Sequence, residues 1–140
     1  MTLKDLFSQA MLRKVLLLIS ALTIVSGLVQ MLAPSFVLGL IGGEVSPSGN
    51  HSFGIVGMFM ILFGGLLLQA LFAEEPQPIV LLWCGLQKFG AAAAVTLGVM
   101  RDVFSWLALG VAGFDLVSGV AILFYRFFWY IMNRINAGSK

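Results

Sequence analysis

Charge is what this sequence most conspicuously lacks: only 10% of its 140 residues are charged, against 60% hydrophobic. The mean hydropathy of +1.04 lies far outside the range of a water-soluble domain and excludes that reading. Cysteine is almost absent. With Cys84 alone there is no internal disulfide, and none of the dithiol pairs that thiol-oxidising four-helix membrane enzymes require. Histidine is limited to His51, and no nucleophile with its base, phosphate loop or metal-ligand cluster can be assembled from the pattern. The formal net charge is only +2, so the pI near 9.0 reflects a few Lys and Arg at helix ends, and nucleic acid is not a partner. Four spans of roughly 20 residues each would use most of the chain, leaving no room for a separate aqueous catalytic domain.

What remains is apolar sequence cut by short polar signals. Residues 1–14 place Leu3, Leu6, Phe7, Ala10 and Met11 at helical spacing, with Lys4, Asp5, Gln9 and Arg13 elsewhere around the cylinder. That pattern predicts an interfacial amphipathic helix, with Thr2 and Asp5 closing a capping box at its start. Lys4, Arg13 and Lys14 ahead of apolar sequence imitate a secretory signal, but no A-x-A-like site follows, and 15–33 reads as a retained first span. Pro34 opens a new short helix near the surface, followed by turn residues Gly42, Gly43, Pro47 and Gly49. The second span is 53–73, and Glu74, Glu75, Pro76, Gln77 and Pro78 form a tight polar connection. The third span, 79–100, turns at Arg101 and Asp102 into the fourth, 103–125. The expected fold is therefore all-α, a transmembrane four-helix bundle over 15–140 preceded by the interfacial helix.

Lys4, Arg13 and Lys14 near one end and Arg126, Arg134 and Lys140 near the other, against Arg101 alone across the membrane, predict that both termini are cytoplasmic. Trp83, Trp129 and Tyr130 fall at one expected interface and Trp106 at the other. The run Phe127, Phe128, Trp129, Tyr130, Ile131 reads as an interfacial anchor or a docking surface. Membrane lipids are the expected surroundings, with other membrane subunits or further copies of the chain as partners.

Helices in lipid approach closely only where side chains are small, so the steps Gly90, Ala94, Gly98 and the stripe Gly54, Gly57, Gly64, Gly65 predict helix-packing faces. The sharpest signal is a pair of charges where charges are costly. Lys88 and Asp115 lie deep in the third and fourth spans, each unfavourable by roughly 2.5 kcal/mol at a helix centre if left alone. They are equidistant in sequence from a turn at Arg101 and Asp102, so an antiparallel hairpin brings them to the same depth as an ion pair. Such a pair either fixes helix register or relays protons; without a third titratable group at that depth, the structural role is the expected one. Gln69 and Gln87 extend this polar network or hydrogen-bond across helices. His51 is expected to face water and headgroups, the alternative being axial ligation of a pigment metal. Cys84 reads as a small packing residue.

A first span ending in Leu32-Ala33-Pro34, a glycine-rich second span, Lys88 midway along the third and Gly113-Phe114-Asp115-Leu116-Val117 in the fourth together resemble the DoxX-like small four-helix membrane proteins of bacteria. The resemblance implies a bacterial cytoplasmic (inner) membrane and a family tied in places to quinone-linked sulfur oxidation and redox homeostasis; it carries over no catalytic residues. The function expected from the sequence is a non-catalytic accessory or structural subunit of a larger membrane complex, redox-linked on that resemblance. The alternatives are a small proton- or ion-coupled transporter using Lys88 and Asp115, and a protein that binds a quinone, lipid or pigment in its bundle with His51 or Gln69 as polar contacts.

Overall fold

The computed structural model describes residues 3–75 and 77–137, with side chains described over 9–75 and 77–129. Among these residues the regular structure is all helix, with no strand, and four of the five helices are long and apolar enough to cross a membrane: an integral membrane four-helix bundle. The cap at Thr2 and Asp5, the apolar face at Leu3, Leu6 and Phe7, and the side chains of Tyr130 and Ile131 lie outside the described residues.

Helix α1 runs unbroken over Leu3–Leu32. The expected boundary after Lys14 is not a break, because neither Gly nor Pro falls there to interrupt the backbone ladder, and the N-terminal segment shares one helix with the first span. At Ala33, before Pro34, the backbone leaves the helical region (φ −134, ψ 57), as steric conflict with the following proline ring requires, and α2 (Pro34–Leu40) restarts with proline in its first turn. Gly42 ends it with a positive φ of 72°, while the Gly43 N–H donates to Leu38 O at 2.8 Å.

Helix α3 spans Pro47–Phe72, starting six residues earlier than the turn composition suggests. Ser46 is an extended N-cap whose hydroxyl accepts from the Gly49 N–H at 3.1 Å, and with Pro47 next it outweighs the glycine that follows. After the short connection 73–77, α4 covers Pro78–Met100 and α5 covers Ala108–Ala137. The fourth span thus begins at Ala108 and not at Val103. Asp102 adopts a φ of 55°, tolerated by its short polar side chain, and the N–H groups of Val103 and Phe104 both donate to Gly98 O, folding 101–107 back beside the last turn of α4.

The bundle is two tight helix pairs. In the first, α1 meets α3 backbone to backbone: a Cβ on Gly57 would stand 2.6 Å from Gly27 O, and one on Gly64 would meet Ile24 and Ser20. Ser20 Oγ donates to Gly64 O at 2.6 Å across this seam. In the second, α4 meets α5 through Gly85 and Gly119, where a Cβ on Gly119 would sit 3.3 Å from Gly85 O. The expected α4 packing steps are displaced accordingly. Gly90 has open space where a Cβ would go, Ala94 is exposed, and Gly98 seats the Phe104 ring of the loop; Gly65 on α3 is likewise open. Gly90 lies two positions from Lys88, about 200° around the helix, so it cannot share the face that Lys88 turns to α5.

The two pairs meet most closely at the end that carries connection 73–77. There Leu16, Ile19, Leu67, Leu71, Leu81, Cys84 and Ile122 form one core. Arg13 donates twice to Leu71 O, at 3.1 and 2.8 Å, satisfying a carbonyl at the C-terminal end of α3, and Arg126 Nε donates to Pro78 O at 2.9 Å in the first turn of α4. At the opposite end the pairs are bridged by loops: the Ser105 N–H donates to Ile41 O at 2.7 Å, and Phe104 packs near Gly43. Outward faces carry large apolar side chains such as Leu18, Leu62 and Val117, which is the surface lipid requires.

Candidate functional site

Two opposite charges lie buried within the bundle. Lys88 Nζ donates to Asp115 Oδ1 at 2.6 Å, and the two side chains are only 4% and 8% exposed. Close approach of α4 and α5 at Gly119 favours the geometry, since a Cβ there would stand 3.3 Å from both Gly85 O and Lys88 Cβ. Lys88 lies further from the end of α4 than Asp115 lies from the start of α5, and the loop folding back beside α4 takes up the difference. The ammonium also stands 5.3 Å from the centre of the Phe114 ring, a cation–π contact.

Towards the loop end the helix pairs diverge around a cavity of about 290 Å³, with Lys88 and Asp115 among its walls. The other polar contributors are Gln30 of α1 and Gln87 of α4. Val56, Phe59 and Met60 of α3 face Ala91 and Val95 of α4 across it, and Val37, Ile41 and Phe104 close it at the loop end. Gln30 Nε2 donates to Phe53 O at 3.0 Å. Gln87 Oε1 is enclosed and has no hydrogen-bond partner among the described residues. Val56, Phe59 and Val111 line the cavity and are also 50%, 50% and 44% exposed, so it opens sideways between helices.

The remaining candidate residues lie elsewhere. Gln69 is exposed and lines a cleft of about 220 Å³ with Gln77 near connection 73–77, separate from the ion pair, so it extends no network with Gln87. His51 is exposed in the second turn of α3 on an outer groove with Met31, Pro34 and Asn50, outside the central cavity. Cys84 is buried in the core with Sγ 3.8 Å from Phe63 O. Among the described residues no group of three or more His, Cys, Asp and Glu could hold a metal. A larger depression of about 560 Å³ lies along α4 and α5, but its walls are apolar except for Thr96, whose hydroxyl donates back to Ala92 O at 2.7 Å. Chemistry therefore concentrates in the smaller cavity. Gln30 is the site residue that sequence reasoning missed; its signal is an amide within an otherwise apolar stretch of the first span.

No family model, curated protein or solved structure matches the chain.

Proposed function

We propose that this membrane protein binds a small amphiphile inside its bundle, with the polar end against Lys88 and Asp115 and the apolar remainder along α3 and α4. The observation that carries this reading is the central cavity, apolar on most sides and bounded on one by a buried ion pair. Its volume is near the lower bound of about 300 Å³ for small-molecule sites, which suits a head group such as that of a quinone or lipid, with any long tail leaving through the lateral opening. Neither His51 nor Gln69 supplies a contact in this reading.

A transport role would need a polar route to both faces. The half of the bundle nearest connection 73–77 is filled by Leu16, Leu67, Leu81 and Ile122, so the geometry favours holding a molecule over conducting one. The accessory-subunit reading draws on outward apolar faces, which lipid contact alone also demands. The DoxX-like resemblance supports a bacterial inner membrane, and the Lys and Arg near both ends support cytoplasmic termini.

The test is purification in mild detergent followed by solvent extraction, mass spectrometry and an absorption spectrum. It is run in parallel on Ala91→Trp and Ala94→Phe, which fill the cavity, with protection of the Cys84 thiol as the check of folding. A small molecule near one per chain in the natural protein, reduced at least tenfold in a folded cavity-filling variant, is expected. Larger protein subunits travelling with the chain, and no small molecule, would replace this reading with the accessory-subunit one.

A further inference from the structure

Resting on the binding reading above, we infer that the ligand is electrically neutral and that its head both donates and accepts hydrogen bonds, as a phenol, alcohol or amide does. Charge comes first. Lys88 and Asp115 neutralise one another at 2.6 Å, and no other charged side chain lines the cavity among the described residues. An anion or cation entering would find no uncompensated partner in a region of low dielectric and would carry its full desolvation cost. A neutral head loses far less.

The hydrogen-bonding groups then select among neutral heads. The Lys88 ammonium has three N–H donors, and Asp115 Oδ1 is its hydrogen-bond partner among the described residues, which leaves donors for a ligand acceptor. Gln30 Nε2 is already engaged with Phe53 O. Asp115 lines the same cavity and engages Lys88 through Oδ1, which leaves its second carboxylate oxygen as an acceptor for a ligand donor. A ketone, quinone or ether satisfies the ammonium and leaves that Asp115 oxygen without a donor. A hydroxyl or amide N–H satisfies both, while the walls at Val56, Phe59 and Val95 take an alkyl or aromatic body.

Four probes separate these requirements: 4-hexylphenol, its methyl ether 4-hexylanisole, hexylbenzene and octanoate. Each is titrated into the purified protein in lipid nanodiscs while the sole cysteine, Cys84, 2% exposed, reports thermal unfolding through a thiol-reactive dye. A ligand that binds only the folded chain raises the midpoint in proportion to its affinity. The phenol should bind roughly tenfold more tightly than the anisole, the anisole more tightly than hexylbenzene, and octanoate least. Equal affinity of phenol and anisole for the natural protein overturns the donor requirement while the cavity still binds. Octanoate binding more tightly than the phenol overturns neutrality. If none of the four moves the midpoint, the binding reading itself falls.

Discussion

Asp115→Asn should destabilise the folded chain by about 3–5 kcal/mol, the largest effect expected of a single change in this bundle. The amide is nearly isosteric, so packing around α5 is retained. What is lost is the countercharge 2.6 Å from Lys88, whose side chain is 4% exposed and is walled by apolar groups and the Phe114 ring. Attraction between the two charges offsets the desolvation of both, and removing one partner leaves the other uncompensated. Replacing both with apolar residues of similar volume, Lys88→Met with Asp115→Leu, removes attraction and desolvation together. The double variant should therefore be more stable than Asp115→Asn. Denaturation in mixed detergent, followed by reactivity of the Cys84 thiol, measures all three. A double variant at least as unstable as the single would show that the pair is held by more than charge.

Gly57→Ala should follow in size, at about 1–3 kcal/mol, in spite of adding one methyl to a helix that ordinarily prefers alanine. The new Cβ would lie 2.6 Å from Gly27 O and 2.7 Å from Met31 N. Both are backbone atoms, so no side chain can turn aside, and α1 and α3 must separate along the seam that also holds the Ser20–Gly64 hydrogen bond. Gly65→Ala and Gly90→Ala are the controls. Neither new Cβ would meet anything within 4 Å, and each should leave the denaturation midpoint unchanged or raise it slightly. A Gly57→Ala protein as stable as the Gly90→Ala one would refute the close approach of these helices.

The spans and the buried pair were legible because both rest on strong, local penalties: long apolar runs need lipid, and Lys88 and Asp115 stand out among them as charges with no water in reach. Helix starts were less legible. Glycine composition around Gly49 suggested a loop, yet the Ser46–Pro47 signature, available in the same residues, opens α3 earlier. The loop 101–107 depends on a left-handed Asp102 and on hydrogen bonds to Gly98 and Ile41, contacts that no local pattern announces. Small residues spaced by four misled for a physical reason. Small side chains lie on two faces of α4, Gly85 and Ala92 beside Lys88 and Gly90, Ala94 and Gly98 opposite, and only tertiary contact decides which face meets a helix. The cavity was invisible for the same cause, since Gln30, Phe59 and Gln87 converge from different helices.

Photolabelling tests the central claim most directly. A diazirine-bearing analogue of 4-hexylphenol, irradiated with the natural protein in nanodiscs and mapped by peptide mass spectrometry, should mark Val56, Phe59 and Met60 on α3 and Ala91 and Val95 on α4. Unlabelled 4-hexylphenol should suppress those adducts, and Ala91→Trp should abolish them. Adducts spread over outward residues such as Leu62 and Val117, undiminished by the competitor, would contradict a binding site inside the bundle.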